Sequence, residues 1–231
     1  MIGDLVAQAV RDAETANAKE LGQAARLVLA CLRRDGLVYT AGAGHSLAAV
    51  AETFYRAGGL ACVYPLYHPD LLPMHGARAS TGAERRSGLA AQVLAAAAPG
   101  TADVLVVFSN SGANPYPVEL ATAARAPVIA VTSRASVAAA PRRAPSTLLE
   151  QADVVLDTGI RPGDASYPPE APRTAALSTV LTAFLWNSVL ARLLTLADVD
   201  VPLWRSSNVP GGDEANAALL ARYQYRIPAL R

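Results

Sequence analysis

The sequence predicts an α/β fold, a doubly wound parallel sheet lying between two helical layers. Three observations carry this. Short runs rich in β-branched residues, at 37–41, 60–64, 104–108, 127–131 and 152–156, alternate with stretches of helical periodicity. These runs are apolar along most of their length, the pattern of strands buried on both faces. Most of them end in small, hydroxyl-bearing or glycine-rich residues, and ligands of such sheets bind at the carboxyl ends of the strands.

The chain has 231 residues, of which 52% are apolar, enough for one domain with a sizeable core. Its 20 basic and 19 acidic residues leave a net charge of +1, so neither nucleic acid nor an anionic membrane is an expected partner. Lys19 is the one lysine. Cys31 and Cys62 stand in apolar surroundings without CxxC spacing, as buried free thiols of a reducing compartment do. The N-terminus has no apolar stretch of the signal-peptide kind, and a cytoplasmic location is expected.

Residues 4–34 read as one helix. Leu5, Val6, Ala9, Val10 and Ala13 recur at helical spacing, as do Leu21, Ala24, Ala25, Val28 and Leu32, and Gly36 follows as a C-cap. The first strand runs into Gly42-Ala43-Gly44-His45-Ser46, and a helix over 47–56 closes at Gly58-Gly59. That loop has three readings. A dinucleotide fingerprint lacks its third glycine, replaced by Leu47, and lacks an acid after the next strand, so no nucleotide cofactor is expected. A nucleophile elbow at 44–48 needs a later histidine, and His68 and His75 are too close in sequence to serve on that fold. A phosphate or hydroxyl cradle with Ser46 at a helix N-terminus remains, and is favoured.

Residues 65–88 are irregular and suit a binding loop or lid. His68, Asp70 and His75 match no common metal-site spacing, and the two histidines read as surface or lid residues. Glu84 is either a general base or a solvated partner of Arg85 or Arg86. A helix over 89–98 leads to the central stretch. There the strand 104–108 changes abruptly to Ser109-Asn110-Ser111-Gly112, with Asn114 and Pro115 as helix cap and first helical residue. Two hydroxyls and a glycine before a helix N-terminus make an anion pocket, or else a polar turn without ligand. After a helix over 118–125 and the strand 127–131, Thr132-Ser133 is a third hydroxyl pair in the same topological place. Residues 134–147 read as loop and short helix. Residues 174–196 form an apolar helix long enough to cross a bilayer, but its dispersed polar residues and Arg192 place it inside a fold or dimer. In the tail, Asp213 and Glu214 beside Gly211-Gly212 either cap the helix N-terminus, the favoured reading, or reach a neighbouring active site.

The loops at 42–46, 109–112 and 131–133 resemble the phosphosugar-binding loops of the SIS (sugar isomerase) domain family, over roughly residues 37–195. Phe54-Tyr55-Arg56-Ala57-Gly58-Gly59 and Gly211-Gly212-Asp213-Glu214 resemble a stand-alone branch with phosphoheptose isomerase-like members. The resemblance implies a flavodoxin-like sheet, a phosphorylated sugar as ligand, and a homodimer or tetramer with sites near the interface. The phosphate would lie among Gly44, Ser46, Ser109, Asn110, Ser111, Gly112, Thr132 and Ser133. Family isomerases and the related etherases carry a catalytic glutamate ten residues after the first-loop serine. Here that place is Arg56, and the nearest acid is Glu52. For an aldose–ketose isomerase the candidate bases are therefore Glu52 first and Glu84 second, with His45 opening the sugar ring. An amino-sugar phosphate lyase or etherase is the alternative chemistry, and a phosphosugar sensor without catalysis the alternative class. The first 34 residues are too short for an appended DNA-binding domain.

Overall fold

The computed structural model describes residues 1–97 and 99–231. The first helical layer begins with α1 (Ile2–Ala16) and α2 (Ala18–Arg33), where the sequence predicts one continuous helix. The break is at Asn17, which is buried. Its amide donates to the Ala13 carbonyl (2.7 Å) and to the Asp157 carbonyl (2.8 Å), and its Oδ1 accepts the Asp157 N–H (2.7 Å). A side chain so held to a strand end fixes the angle between the two helices.

The sheet has five parallel strands, β1 (Val38–Gly42), β2 (Val63–Leu66), β3 (Val104–Phe108), β4 (Val128–Thr132) and β5 (Val154–Asp157), in the order β2-β1-β3-β4-β5. Every residue of β1, β3 and β4 is buried, as the apolar runs predict for strands covered on both faces. Val38 pairs with Val104, Gly42 with Phe108, and Phe108 with Val131, so the strands end nearly level. β2 lies later than the expected 60–64, because Leu60 instead bridges Leu203 of the tail.

The helices between strands are α3 (Leu47–Thr53), α4 (Ala77–Glu84), α5 (Leu89–Ala96), α6 (Pro115–Ala123), α7 (Arg134–Ala139) and α8 (Leu148–Gln151). The helix predicted to end at residue 98 stops at Ala96, and residue 98 itself lies outside the described residues. α4 arises within the irregular stretch 65–88, after two 3-10 turns at Pro69–Leu71 and Pro73–His75. The long apolar helix is α9 (Ser178–Leu196), and it packs against α1, α2 and α3. It starts at Ser178 because Asp164 caps it: Oδ1 accepts the N–H groups of Leu177 (3.1 Å) and Ser178 (3.0 Å), and Oδ2 the Ser178 hydroxyl. The tail ends in α10 (Gly212–Tyr223), and buried Tyr223 and Ile227 join the core.

Candidate functional site

The chain leaves β1 toward β2 on one side and β3 toward β4 on the other, so strand order reverses between β1 and β3. Open α/β sheets bind ligands in the crevice at such a point. The loops after β1 and β3 face each other there, and they are two of the hydroxyl-rich stretches singled out by sequence.

In the first loop a 3-10 turn, Gly44–Ser46, links β1 to α3. Gly44 has φ +58°, and a Cβ there would meet nothing within 4 Å, so its backbone faces open space. His45 is exposed and Ser46 half-buried, and among the described residues neither side chain has a partner in the chain. The Ser46 N–H closes the turn on the Ala43 carbonyl (3.1 Å).

The second loop is more tightly built. The Ser109 N–H extends the sheet to the Val131 carbonyl (3.1 Å), and the Ser109 hydroxyl accepts the Gly112 N–H (3.2 Å). Gly112 has φ +52°, and an added Cβ would fall 2.8 Å from Val137 Cγ2 and 3.1 Å from Thr132 Oγ1. Asn110 is half-buried, with its Oδ1 buried and unpartnered. Ser111 is half-buried, and among the described residues its hydroxyl has no partner. Among the described residues the N–H groups of Asn110 and Ser111 donate to no acceptor in the chain. The loop therefore presents hydroxyls and N–H groups that no group of the described residues uses.

α6 adds fewer donors than its position suggests. Its first turn is Pro115-Tyr116-Pro117, and the prolines have no N–H to offer. Tyr116 is fully buried with an unpartnered hydroxyl, and burial pushes its phenol pKa upward. Asn114 caps α6 through its backbone while its Oδ1 accepts from Arg143 Nη1 (3.2 Å). Arg143 is a cation beside the second loop that sequence reasoning missed, since it lies in a Pro/Arg/Ala stretch without periodicity.

Thr132 and Ser133 sit at the end of β4 but are fully buried. The Thr132 hydroxyl donates to the Asn110 carbonyl (3.4 Å). Ser133 donates to the Ile160 carbonyl (2.5 Å) and accepts the Ser136 N–H (3.0 Å) as the cap of α7. The Thr132 hydroxyl and the Ser133 N–H, which donates to the Asn110 carbonyl (3.3 Å), brace the second loop from behind, and both hydroxyls are used within the chain.

The three candidates for proton transfer are dispersed. Glu52 forms an ion pair with Arg56, which lies beyond the end of α3 because the helix predicted over 47–56 stops at Thr53, and its Oε1 also lies 3.5 Å from the Asn187 amide of α9. Glu84 ends α4, which lies against the Gly44–Ser46 turn and α6. It is half-buried, and among the described residues its carboxylate has no partner. Arg86, considered as its partner, bonds Asp70 instead (3.3 Å). His68 Nδ1 accepts the Asp70 N–H (3.2 Å), and His75 Nδ1 lies 3.2 Å from the Pro69 carbonyl, so both histidines hold the lid turns. A cavity of about 440 Å³ lies away from both loops, beside α1 and the exit of β5. The serine loops remain the candidate site because they leave the paired ends of β1 and β3 with hydroxyls and N–H groups that no group of the described residues uses.

A family model described as the SIS domain matches residues 4–133. A UPF0309 protein of Brucella anthropi is 38% identical over 220 residues, covering 92% of this chain and 90% of its own, and one from Brucella canis is 37% identical over 219. Among solved structures, the phosphoheptose isomerase of Neisseria gonorrhoeae aligns with a TM-score of 0.53 at 22% identity, covering 84% of this chain and 95% of its own. That of Francisella tularensis gives 0.50 at 19%, with the same coverage. At these identities the structural likeness speaks for the fold, a flavodoxin-like three-layer sheet.

Proposed function

Since the chain belongs to the SIS domain family, we propose that it binds a phosphorylated sugar at the β1/β3 crevice and interconverts its aldose and ketose forms. The observation that carries this is the meeting of two loops with free Ser46 and Ser111 hydroxyls and unused N–H groups at the reversal of strand order. The solved neighbours named phosphoheptose isomerases support the same reading. The phosphate sits on Ser46, Ser109, Ser111 and the N–H groups of Asn110 and Ser111. Gly44 and Gly112 let the backbone turn toward it. Thr132 and Ser133 act from behind, and Arg143 supplies nearby positive charge.

Isomerisation moves a proton between adjacent carbons through an enediol, which needs a base within reach of carbon while the phosphate is held. Glu52 is neutralised by Arg56 and turned toward α9, so we assign the proton transfer to Glu84, whose helix adjoins the first loop and whose carboxylate is unpaired. His45, exposed on the first loop, assists ring opening. The Glu52–Arg56 pair favours a second reading, a phosphosugar sensor that binds without turnover. Exposed Val180, Leu194 and Leu196 on α9 support a homodimer, and the two free, buried thiols support a cytoplasmic setting.

The test combines a thermal-shift screen of sugar phosphates with deuterium exchange at C2 of any ligand found. Ser111→Ala should weaken binding by about 1.5–3 kcal/mol, the worth of a charge-assisted hydrogen bond. Glu84→Gln should abolish exchange and Glu52→Gln should retain it. Binding without exchange in the wild type leaves the etherase and the sensor, and a product assay for ether cleavage separates those two. Equal affinity for a sugar and its phosphate defeats both readings.

A further inference from the structure

We propose that the cavity between α1, the exit of β5 and the start of α9 is a second small-molecule site, for an uncharged and largely apolar ligand bearing one hydrogen-bonding group. It is independent of the sugar-phosphate reading. The cavity has a volume of about 440 Å³, within the range of small-ligand pockets. Leu5 and Ala9 of α1, Ile160 after β5, and Leu177 and Leu181 of α9 give it an apolar wall. Thr158 also lines it. This residue is 3% exposed, and its hydroxyl is buried with no partner in the chain. A buried hydroxyl left unpaired is costly, so an occupant that bonds it gains what the fold leaves unsatisfied.

The charges around the cavity select against an ionic ligand. The Asp157 carboxylate accepts the N–H groups of Arg134 (3.1 Å) and Gly159 (2.9 Å) and lies 3.8 Å from the Arg134 guanidinium. Asp12 accepts from the Gln8 amide (2.7 Å), and Arg161 is exposed at the rim. An ion entering the apolar interior would lose its hydration, and Arg161, the one cation of the lining among the described residues, stays in solvent at the rim. The walls are also fixed in advance. Asn17 ties the α1–α2 break to β5, Ser133 and Ser136 both donate to the Ile160 carbonyl, and Asp164 pins the first turn of α9. A preformed pocket binds without the cost of ordering its walls.

The experiment titrates methyl-labelled full-length protein with p-cresol, cyclohexanol and hexanoate and follows the methyl resonances by NMR. At least one neutral probe should saturably shift the methyls of Thr158, Ala9 and Leu181 and leave that of Thr132 in place. Hexanoate should bind about tenfold more weakly, as the lost hydration of its carboxylate requires with Arg161 held in solvent at the rim. Ala9→Phe, which fills the cavity, should abolish the shifts. Thr158→Val should weaken binding by about tenfold, the loss of one hydrogen bond, while its thermal midpoint stays level or rises. The proposal is overturned if neither neutral probe shifts these methyls, if both variants bind as wild type does, or if Thr158→Val lowers the midpoint and so reveals a structural bond.

Discussion

Gly112 and Gly44 both have left-handed backbone, but their surroundings differ, and the pair gives a controlled measure of how tightly the second loop is built. At Gly44 an added Cβ meets nothing within 4 Å, so Gly44→Ala carries only the left-handed conformational cost, about 1–2 kcal/mol. At Gly112 the same cost applies. The Cβ would also press on Val137 Cγ2 at 2.8 Å, Thr132 Oγ1 at 3.1 Å and Leu148 Cβ at 3.3 Å, all on buried residues. Overpacking of that kind adds about 1–3 kcal/mol. Gly112→Ala should therefore cost roughly 2–5 kcal/mol in all, and exceed Gly44→Ala by about 1–3 kcal/mol. Urea unfolding followed by far-UV circular dichroism reads the difference from the midpoints, with a common slope showing that the same transition is compared. The larger displacement should also break the bond from the Gly112 N–H to the Ser109 hydroxyl and so weaken binding of inorganic phosphate. Equal midpoints for the two variants would refute the argument, because they would mean that Val137, Thr132 and Leu148 do not close on Gly112.

Three further outcomes are expected. Asp164→Ala should remove the cap of α9 and cost about 1–2 kcal/mol, with faster amide exchange at Leu177 and Ser178 as its local signature. Arg143→Gln should flatten the salt dependence of phosphate binding, since a nearby unpaired cation is screened by salt, whereas Ser111→Ala should lower affinity by the same factor at every salt concentration; an unchanged salt slope in Arg143→Gln would place the cation elsewhere. At high pH the fold should loosen, because burial pushes the Cys62 thiol from 9.0 up to about 12 and the Tyr39 phenol from 10.0 up to about 12. Raised folded-state values mean stability that is complete below pH 9 and is lost as pH climbs toward 12. Tyr39→Phe should remove the tyrosine share of that loss above pH 10, and denaturant midpoints that stay flat to high pH would contradict the burial argument.

What sequence alone makes legible is local. The apolar runs mark the strands because a strand buried on both faces must be apolar throughout, and the serine and glycine loops stand out because they interrupt such runs abruptly. The break at Asn17 is invisible, because its cause is a strand end 140 residues away. The start of α9 is hidden for the same reason: Asp164 and Ser178 are joined across a loop with no periodicity. Ser133 illustrates a different limit. Its place at a strand end suggests a ligand contact, yet the hydroxyl caps α7 and holds Ile160, and only the neighbouring chain decides between those uses. The Glu52–Arg56 pair has i,i+4 spacing, but the helix predicted over 47–56 ends at Thr53 and Tyr55 takes a positive φ, so helical periodicity does not account for the contact. Arg143 gives no signal at all, because it reaches the second loop from an irregular segment.

The prolines of α6 change what kind of anion site the crevice can be. A helix N-terminus binds anions through the free N–H groups of its first turn and the dipole behind them. Pro115 and Pro117 remove two of those donors while leaving the dipole in place. The donors that remain belong to the loop: the N–H groups of Asn110 and Ser111 and the hydroxyls of Ser46 and Ser111. Their positions depend on the Ser109–Gly112 bond, on the close packing around Gly112 and on Thr132 and Ser133 behind. Shape and hydrogen bonding thus dominate over net charge, with Arg143 as the added cation. Such a site discriminates by fit around a tetrahedral anion.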